Sequence, residues 1–317
     1  MSRILICIVS LFWIVIGGVP NVAQDRKFPF EQARWSPDDK LIALNFVRTI
    51  SIVDAELNPI TVLTLPRYPT ATSYNNADDI MWHQDGQLLA ATTVSDNYDG
   101  LLVVWDTSTW KIIHKVEGVR GRLTWSSDSN FLSGQGKVVD LSTNSVIYQT
   151  YSQNNPITSA TWSPTNINEM AFARTGFGDI IIINPFNGTI QKILPHDSAF
   201  FPVFSPQGDN IVLMSNLGYR EPHVLNILET NAYTLVNSYP LESFVNSETD
   251  AIFWIGGNRL AITMQNGKIM ELNLLTGVLK EIYTMERNME AYWNHAGDKF
   301  IIRDLYNTIV DYPSQSN

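Results

Sequence analysis

The stretch that decides the fold is Ile80-Met81-Trp82-His83-Gln84-Asp85-Gly86, followed by the run Leu88 to Thr93. A short apolar strand ends on a large aromatic. A polar turn closed by glycine follows, because glycine supplies the backbone freedom a tight turn needs. A second apolar strand then begins. The chain continues with a polar loop from Ser95, a third strand at Leu101 to Asp106, a Thr107-Ser108-Thr109 turn and a returning outer strand at Trp110 to Val116.

The same order recurs along the chain. Its aromatics are Trp35, Trp82, Trp125, Trp162, Phe204, Trp254 and Trp293, spaced 37 to 50 residues apart with a mean of 43. That is the period of one four-stranded propeller blade. Trp35-Ser36-Pro37-Asp38-Asp39 precedes Leu41 to Phe46, Trp125-Ser126-Ser127-Asp128 precedes Phe131-Leu132, and Trp293-Asn294-His295-Ala296-Gly297 precedes Phe300 to Arg303. Short β-rich runs punctuated by turn residues, with no helical period after residue 25, predict an all-β chain. The expectation is a seven-bladed β-propeller of four-stranded antiparallel blades over residues 25–317, each aromatic wedged between adjacent blades. The last unit runs out after its third strand. Closure then falls to Asp25–Phe28, or the last blade has three strands.

The N-terminus reads as an export signal over residues 1–24. Arg3 gives a positive start, Ile4 to Val19 is apolar apart from Ser10 and two glycines, and a Pro20-Asn21 break precedes Val22-Ala23-Gln24-Asp25. Cleavage after Ala23 or Gln24 leaves no integral membrane span. An uncleaved anchor is the alternative, since the apolar run sits at the lower limit of a bilayer span. The only cysteine, Cys7, lies in this segment, so the mature chain holds no disulfide, thiol nucleophile or cysteine-ligated metal. A periplasmic or extracellular location follows as the expectation.

The 317 residues carry a net charge of −10, with Lys and Arg scattered. This balance argues against nucleic acid and against an anionic membrane surface. No Walker loop, dinucleotide fingerprint or nucleophile elbow occurs. The five histidines, His83, His114, His196, His223 and His295, make no zinc-type pair. His196-Asp197-Ser198 contains triad residue types, but neighbours on one strand do not reach triad geometry. Asp96-Asn97-Tyr98-Asp99-Gly100 is a calcium-loop candidate or a polar hairpin. Asn187-Gly188-Thr189 is a glycosylation acceptor or a hairpin turn, with the turn preferred. No metal or cofactor is expected.

Val103-Val104-Trp105-Asp106 with Thr107-Ser108-Thr109, the Trp-Ser-Pro-Asp turn at Trp35, and His196 to Pro206 resemble the WD-repeat family. The resemblance extends over residues 25–317 at the level of period and pattern. Only one literal Trp-Asp pair occurs, and the turn is also similar to repeats of TolB-like envelope propellers, which have fewer blades. The resemblance implies a rigid ring, monomeric by itself, that displays loops to a protein or peptide partner. Tyr, Phe and Arg are the residues enriched at interface hot spots. Tyr68, Arg120, Arg122, Tyr151, Phe201 and Arg220, on loops of one face, are the partner-binding candidates. A hydrolase or lyase built from separate blades would leave no linear motif. A subunit of an envelope assembly, like the TolB-type propellers, is the third reading.

Overall fold

In a computed structural model, the described residues are 30–66, 76–94, 100–149, 157–174, 179–195, 200–216, 223–242, 251–286, 289–304 and 307–312. They form seven antiparallel meander sheets and no helix; no helix among them is long and apolar enough to cross a membrane. Six blades have four strands in chain order. The seventh has three among the described residues: Ala291–Trp293, Lys299–Ile302 and Ile309–Asp311. The closing segment Asp25–Phe28 lies outside the described residues.

Each blade is apolar on both faces because a neighbour covers each face. Third strands such as Gly100–Asp106 and Asp179–Ile183 are therefore near-continuous apolar runs rather than alternating ones. The described residues form seven apolar cores, one between each pair of adjacent blades. Every recurring aromatic sits between adjacent blades, as expected, and the structure adds that the shared core is the one with the preceding blade. Trp110 differs from expectation. It ends the preceding turn with φ of 55°, outside the outer strand Lys111–Glu117, and packs edge-on against Trp82.

The indoles also bond. Trp35 Nε1 donates to the Tyr292 carbonyl at 3.0 Å, Trp82 Nε1 to that of Arg34 at 3.0 Å, and Trp125 Nε1 to that of Met81 at 3.3 Å. Blades 7, 1, 2 and 3 are thus laced together through one atom per interface.

In every blade but the sixth, where the buried Ile255 takes the place, the turn after the aromatic is held by its first polar side chain. Ser36 Oγ donates to Asp38 Oδ1 at 2.7 Å and accepts from Leu41 N at 2.9 Å, and Ser126 and Ser205 repeat the arrangement. In blade 2 His83 takes this place, its Nδ1 lying 2.7 Å from Asp85 Oδ1. The left-handed position of the turn, occupied by Asp39, Gly86, Ser129, Gly208 or Gly297, meets the turn of the preceding blade.

Asp39 uses this position to seal blade 1 to blade 7. Its carboxylate accepts from His295 N at 2.7 Å and Ala296 N at 2.8 Å. Burial alone would raise this carboxyl. Hydrogen bonds from the His295 side chain, the His295 amide and the Ala296 amide outweigh burial and hold it below its ordinary value of 3.8. A depressed carboxylate contributes stability that is present above its unfolded value and lost as pH falls through the folded one. Asp39→Asn, which keeps the left-handed preference, is expected to lower stability at pH 7 and to flatten its loss below about pH 4. Chemical unfolding across pH tests this; a variant curve parallel to that of the parent would remove Asp39 from the seam.

All six four-stranded blades carry a bulge between third and outer strand. In four of them the extra residue is an exposed aliphatic: Ile60, Ile113, Ile147 or Val236. Bulges twist an edge away from flat pairing, which blunts the exposed rim.

Candidate functional site

The residue before each aromatic faces the central bore. Arg34, Met81 and Thr124 stand on blades 1 to 3, Thr161 and Val203 on blades 4 and 5, and Phe253 and Tyr292 on blades 6 and 7. The bore encloses about 380 Å3.

Towards the loop side, three inner strands are irregular at corresponding ends. Bulges fall between Ala77 and Asp79 in blade 2, between Ile157 and Ser159 in blade 4, and between Phe200 and Val203 in blade 5. Bulges re-aim side chains and concentrate beside functional sites. Phe201 is in the left-handed region at φ 52°, where a bulky residue is strained by about 1–3 kcal/mol. Its ring lies under the Arg122 guanidinium, whose carbon is 4.3 Å from the ring centroid. The pair joins blades 3 and 5 across the inner strand of blade 4. A guanidinium held by its face uses no N–H in that contact.

The loop carrying the arginines is clamped. A Cβ on Gly100 would stand 2.3 Å from the Val119 carbonyl oxygen, and one on Gly134 2.9 Å from that of Arg120. Only glycine admits this close approach of backbones. Arg120 Nε donates to Gln135 Oε1 at 2.6 Å, and Gly121 N to Asp78 Oδ2 at 2.7 Å.

Beneath the mouth lies Asp79, 1% exposed. Its Oδ1 accepts from Gln32 Nε2 at 2.6 Å and faces Arg34 Nη2 at 3.3 Å; its Oδ2 accepts from Leu123 N at 2.7 Å. One carboxylate therefore ties together blades 1, 2 and 3. A second buried group joins Glu290 to Arg303, at 3.2 Å to both carboxylate oxygens, and to the Tyr292 hydroxyl. Burial and the Glu290 charge push the Tyr292 hydroxyl well above its ordinary pKa, so it remains a donor.

One contact mimics a hydrolytic triad. Ser129 Oγ is 2.7 Å from His83 Nε2, and His83 Nδ1 contacts Asp85. The same Oγ is only 3.3 Å from Nδ1, which places it over the ring rather than along the Nε2 lone pair. General-base geometry needs the in-plane position, so the arrangement is a turn-to-turn contact. Among the described residues, no cluster of three or more His, Cys, Asp or Glu side chains is arranged to hold a metal ion. Asn187 lies in the exposed turn between the third and outer strands of blade 4, with Gly188 at φ 72°.

Of the six sequence candidates, Arg122 and Phe201 meet at the loop-side mouth, and Arg120 stands two residues before Arg122 with its Nε on Gln135. Tyr68, Tyr151 and Arg220 lie outside the described residues, as do His196 and Asp96 to Asp99. Sequence reasoning missed Asp79, Gln32, Arg34 and Glu290. The available signal was the Asp78-Asp79 pair entering an otherwise apolar inner strand, and the glycines flanking Gln135.

The architecture defines the class: a seven-bladed β-propeller. Solved structures agree across nearly the whole chain. One is a chain of the mitotic checkpoint complex, 13% identical, covering 96% of this chain and 97% of that one at a TM-score of 0.68. Another is the Cps50 (Swd1) β-propeller domain of Myceliophteria thermophila, 13% identical, covering 86% and 93% at 0.69. A third is a chain of Kuenenia stuttgartiensis hydrazine synthase, 13% identical, covering 96% and 100% at 0.68. At such identity the likeness shows the fold alone. No protein-family model and no curated protein matches the sequence.

Proposed function

We propose that this chain is an exported, WD-like propeller that binds a protein or peptide through its loop-side mouth. The observation that carries the reading is the strained, bulged Phe201 held under Arg122. An aromatic anchor and a guanidinium are presented together on a rigid ring, which keeps the ordering cost of binding low. Export is supported by the basic start and apolar run of residues 1–24. Propellers solved within the mitotic checkpoint complex are consistent with a scaffold role.

The test is purification of the native protein from the envelope or culture fluid under mild conditions, beside an Arg120→Ala/Arg122→Ala variant. The expected N-terminus is Gln24 or Asp25. A partner that co-purifies with the parent should be lost from the variant, at a cost of more than about 2 kcal/mol if these are hot-spot residues. Equal recovery of the partner by both proteins would refute this mouth as the binding face.

A further inference from the structure

The seam between blades 5 and 6 lacks the devices that tie the other seams. Where blades 7 and 1, 1 and 2, and 2 and 3 meet, an indole N–H donates to a carbonyl of the preceding blade. Blades 3 and 4 share a bond from Trp162 N to Thr124 Oγ1 at 3.0 Å, and blades 4 and 5 one from the Tyr233 hydroxyl to Glu169. Trp254 stands between blades 5 and 6, yet its Nε1 is buried with no hydrogen-bond partner. Such a donor gains an acceptor only when water reaches it, which favours an open state. The turn after Trp254 begins with Ile255 in place of a polar clasp. Its left-handed residues do not touch blade 5. A Cβ on Gly256 would meet only Arg259 Nη2 of its own blade, at 4.0 Å, and one on Gly257 would stand in open space. By contrast Gly86 and Gly208 face Pro37 and Thr165 of the preceding turn. The far side of blade 6 is better tied. Trp293 Nε1 is likewise unpaired, but Gly297 packs against Ile255, and the Tyr312 hydroxyl donates to Glu271 Oε2 at 2.9 Å. Among the described residues, what spans blades 5 and 6 is the apolar core of Val212, Met214 and Leu225 with Leu260 and Ile262, and a Lys268–Glu242 approach of 4.0 Å.

We propose that the ring opens at the seam between blades 5 and 6 ahead of the other seams, and that Phe201 couples this opening to the loop-side mouth. Phe201 packs against the core of that seam, and its ring lies under Arg122 of blade 3. Its left-handed backbone, at φ 52°, is free to relax when the seam parts. Opening therefore withdraws the aromatic from Arg122 and changes what the mouth displays. Elements that move are drawn from the least stable part of a fold. The adjustable part of the ring is thus blades 5 and 6. The rigid part is blades 7, 1, 2 and 3, held by the indole bonds, the Asp39 seam and the Asp79 carboxylate. This opening is a property of the ring alone and needs no partner.

Thiol labelling of the native full chain tests the proposal. With Cys7→Ser in place, each variant carries a single thiol. Ala251→Cys and Met214→Cys put it in the core between blades 5 and 6, Ala91→Cys between blades 1 and 2, and Ala171→Cys between blades 4 and 5. Met214, Ala91 and Ala171 are 0% exposed, so a bulky aromatic disulfide reagent reaches them only on opening. The probes at blades 5 and 6 should react at least about tenfold faster than the other two, and faster than global unfolding, measured in urea for each variant, would allow. If one of the two does not fold, the other decides. Adding Arg122→Ala, which removes the weight on Phe201, should speed Met214→Cys a further few-fold and leave Ala91→Cys unchanged. Equal rates at all seams, rates explained by global unfolding, or faster reaction at another seam would overturn the opening. A Met214→Cys rate indifferent to Arg122→Ala would overturn the coupling. Partner capture at the mouth is a separate readout and survives either failure.

Discussion

Asp79→Ala is expected to destabilise the protein by about 3–5 kcal/mol, seen as a shifted midpoint in urea at unchanged slope. The carboxylate is almost fully buried and serves three blades at once. Truncation strands the Gln32 amide, the Leu123 N–H and the Arg34 charge. Leaving a buried donor unpaired costs its desolvation, and an uncompensated buried charge costs more. Asp79→Asn should lie between, because an amide oxygen still accepts one bond while the charge facing Arg34 is gone. Arg34→Met combined with Asp79→Leu should recover part of the loss, since the charges leave together. Recovery will be incomplete because the Leu123 amide stays without its acceptor. An Asp79→Ala midpoint within about 0.5 kcal/mol of the parent would mean that water replaces the carboxylate and that the hub is not structural.

Trp35→Ala should cost a similar 3–5 kcal/mol, and its effect should concentrate on ring closure. Trp35 is 2% exposed in the core shared by blades 7 and 1, with Phe30, Tyr292 and Ile301. Its Nε1 donates to Tyr292, 257 residues away. Trp35→Phe keeps most of the apolar contact and gives up that bond, so about 1 kcal/mol is expected. Trp254 supplies the control. Its Nε1 is buried with no hydrogen-bond partner among the described residues, so Trp254→Phe should cost less than Trp35→Phe. Thermal unfolding of the three variants in parallel gives the ranking. Trp254→Phe as damaging as Trp35→Phe would show that the indoles act by shape and not through Nε1.

Those two residues mark the limits of sequence reading. Trp35 announces itself, because it recurs in register with the other aromatics and ends each inner strand. The period alone placed it between blades. Its hydrogen bond was not legible, since the acceptor is a backbone carbonyl on a strand far away in sequence. Asp79 shows the converse. A carboxylate in an apolar strand looks like a surface residue on a half-exposed sheet, and only the packing of blades 1 and 3 against blade 2 buries it and supplies its donors. Arg120 and Arg122 were legible as loop residues of interface type, whereas Phe201, expected in a loop, stands on the inner strand Phe200–Phe204 of blade 5. That Arg122 reaches Phe201 over an intervening strand depends on a bulge with no sequence signature of its own.

By itself the sequence determined the number of blades, the strand order within each and the inward position of the seven aromatics. Those properties follow from local turn chemistry and hydrophobic periodicity, which act over a few residues and repeat. Only the tertiary structure decided how the blades are joined and what the bore presents. The Asp39 seam, the Asp79 hub and the Arg122–Phe201 contact each arise between residues brought together by closing the ring. Contacts of that kind depend on which strand stands opposite which, and no local pattern encodes it.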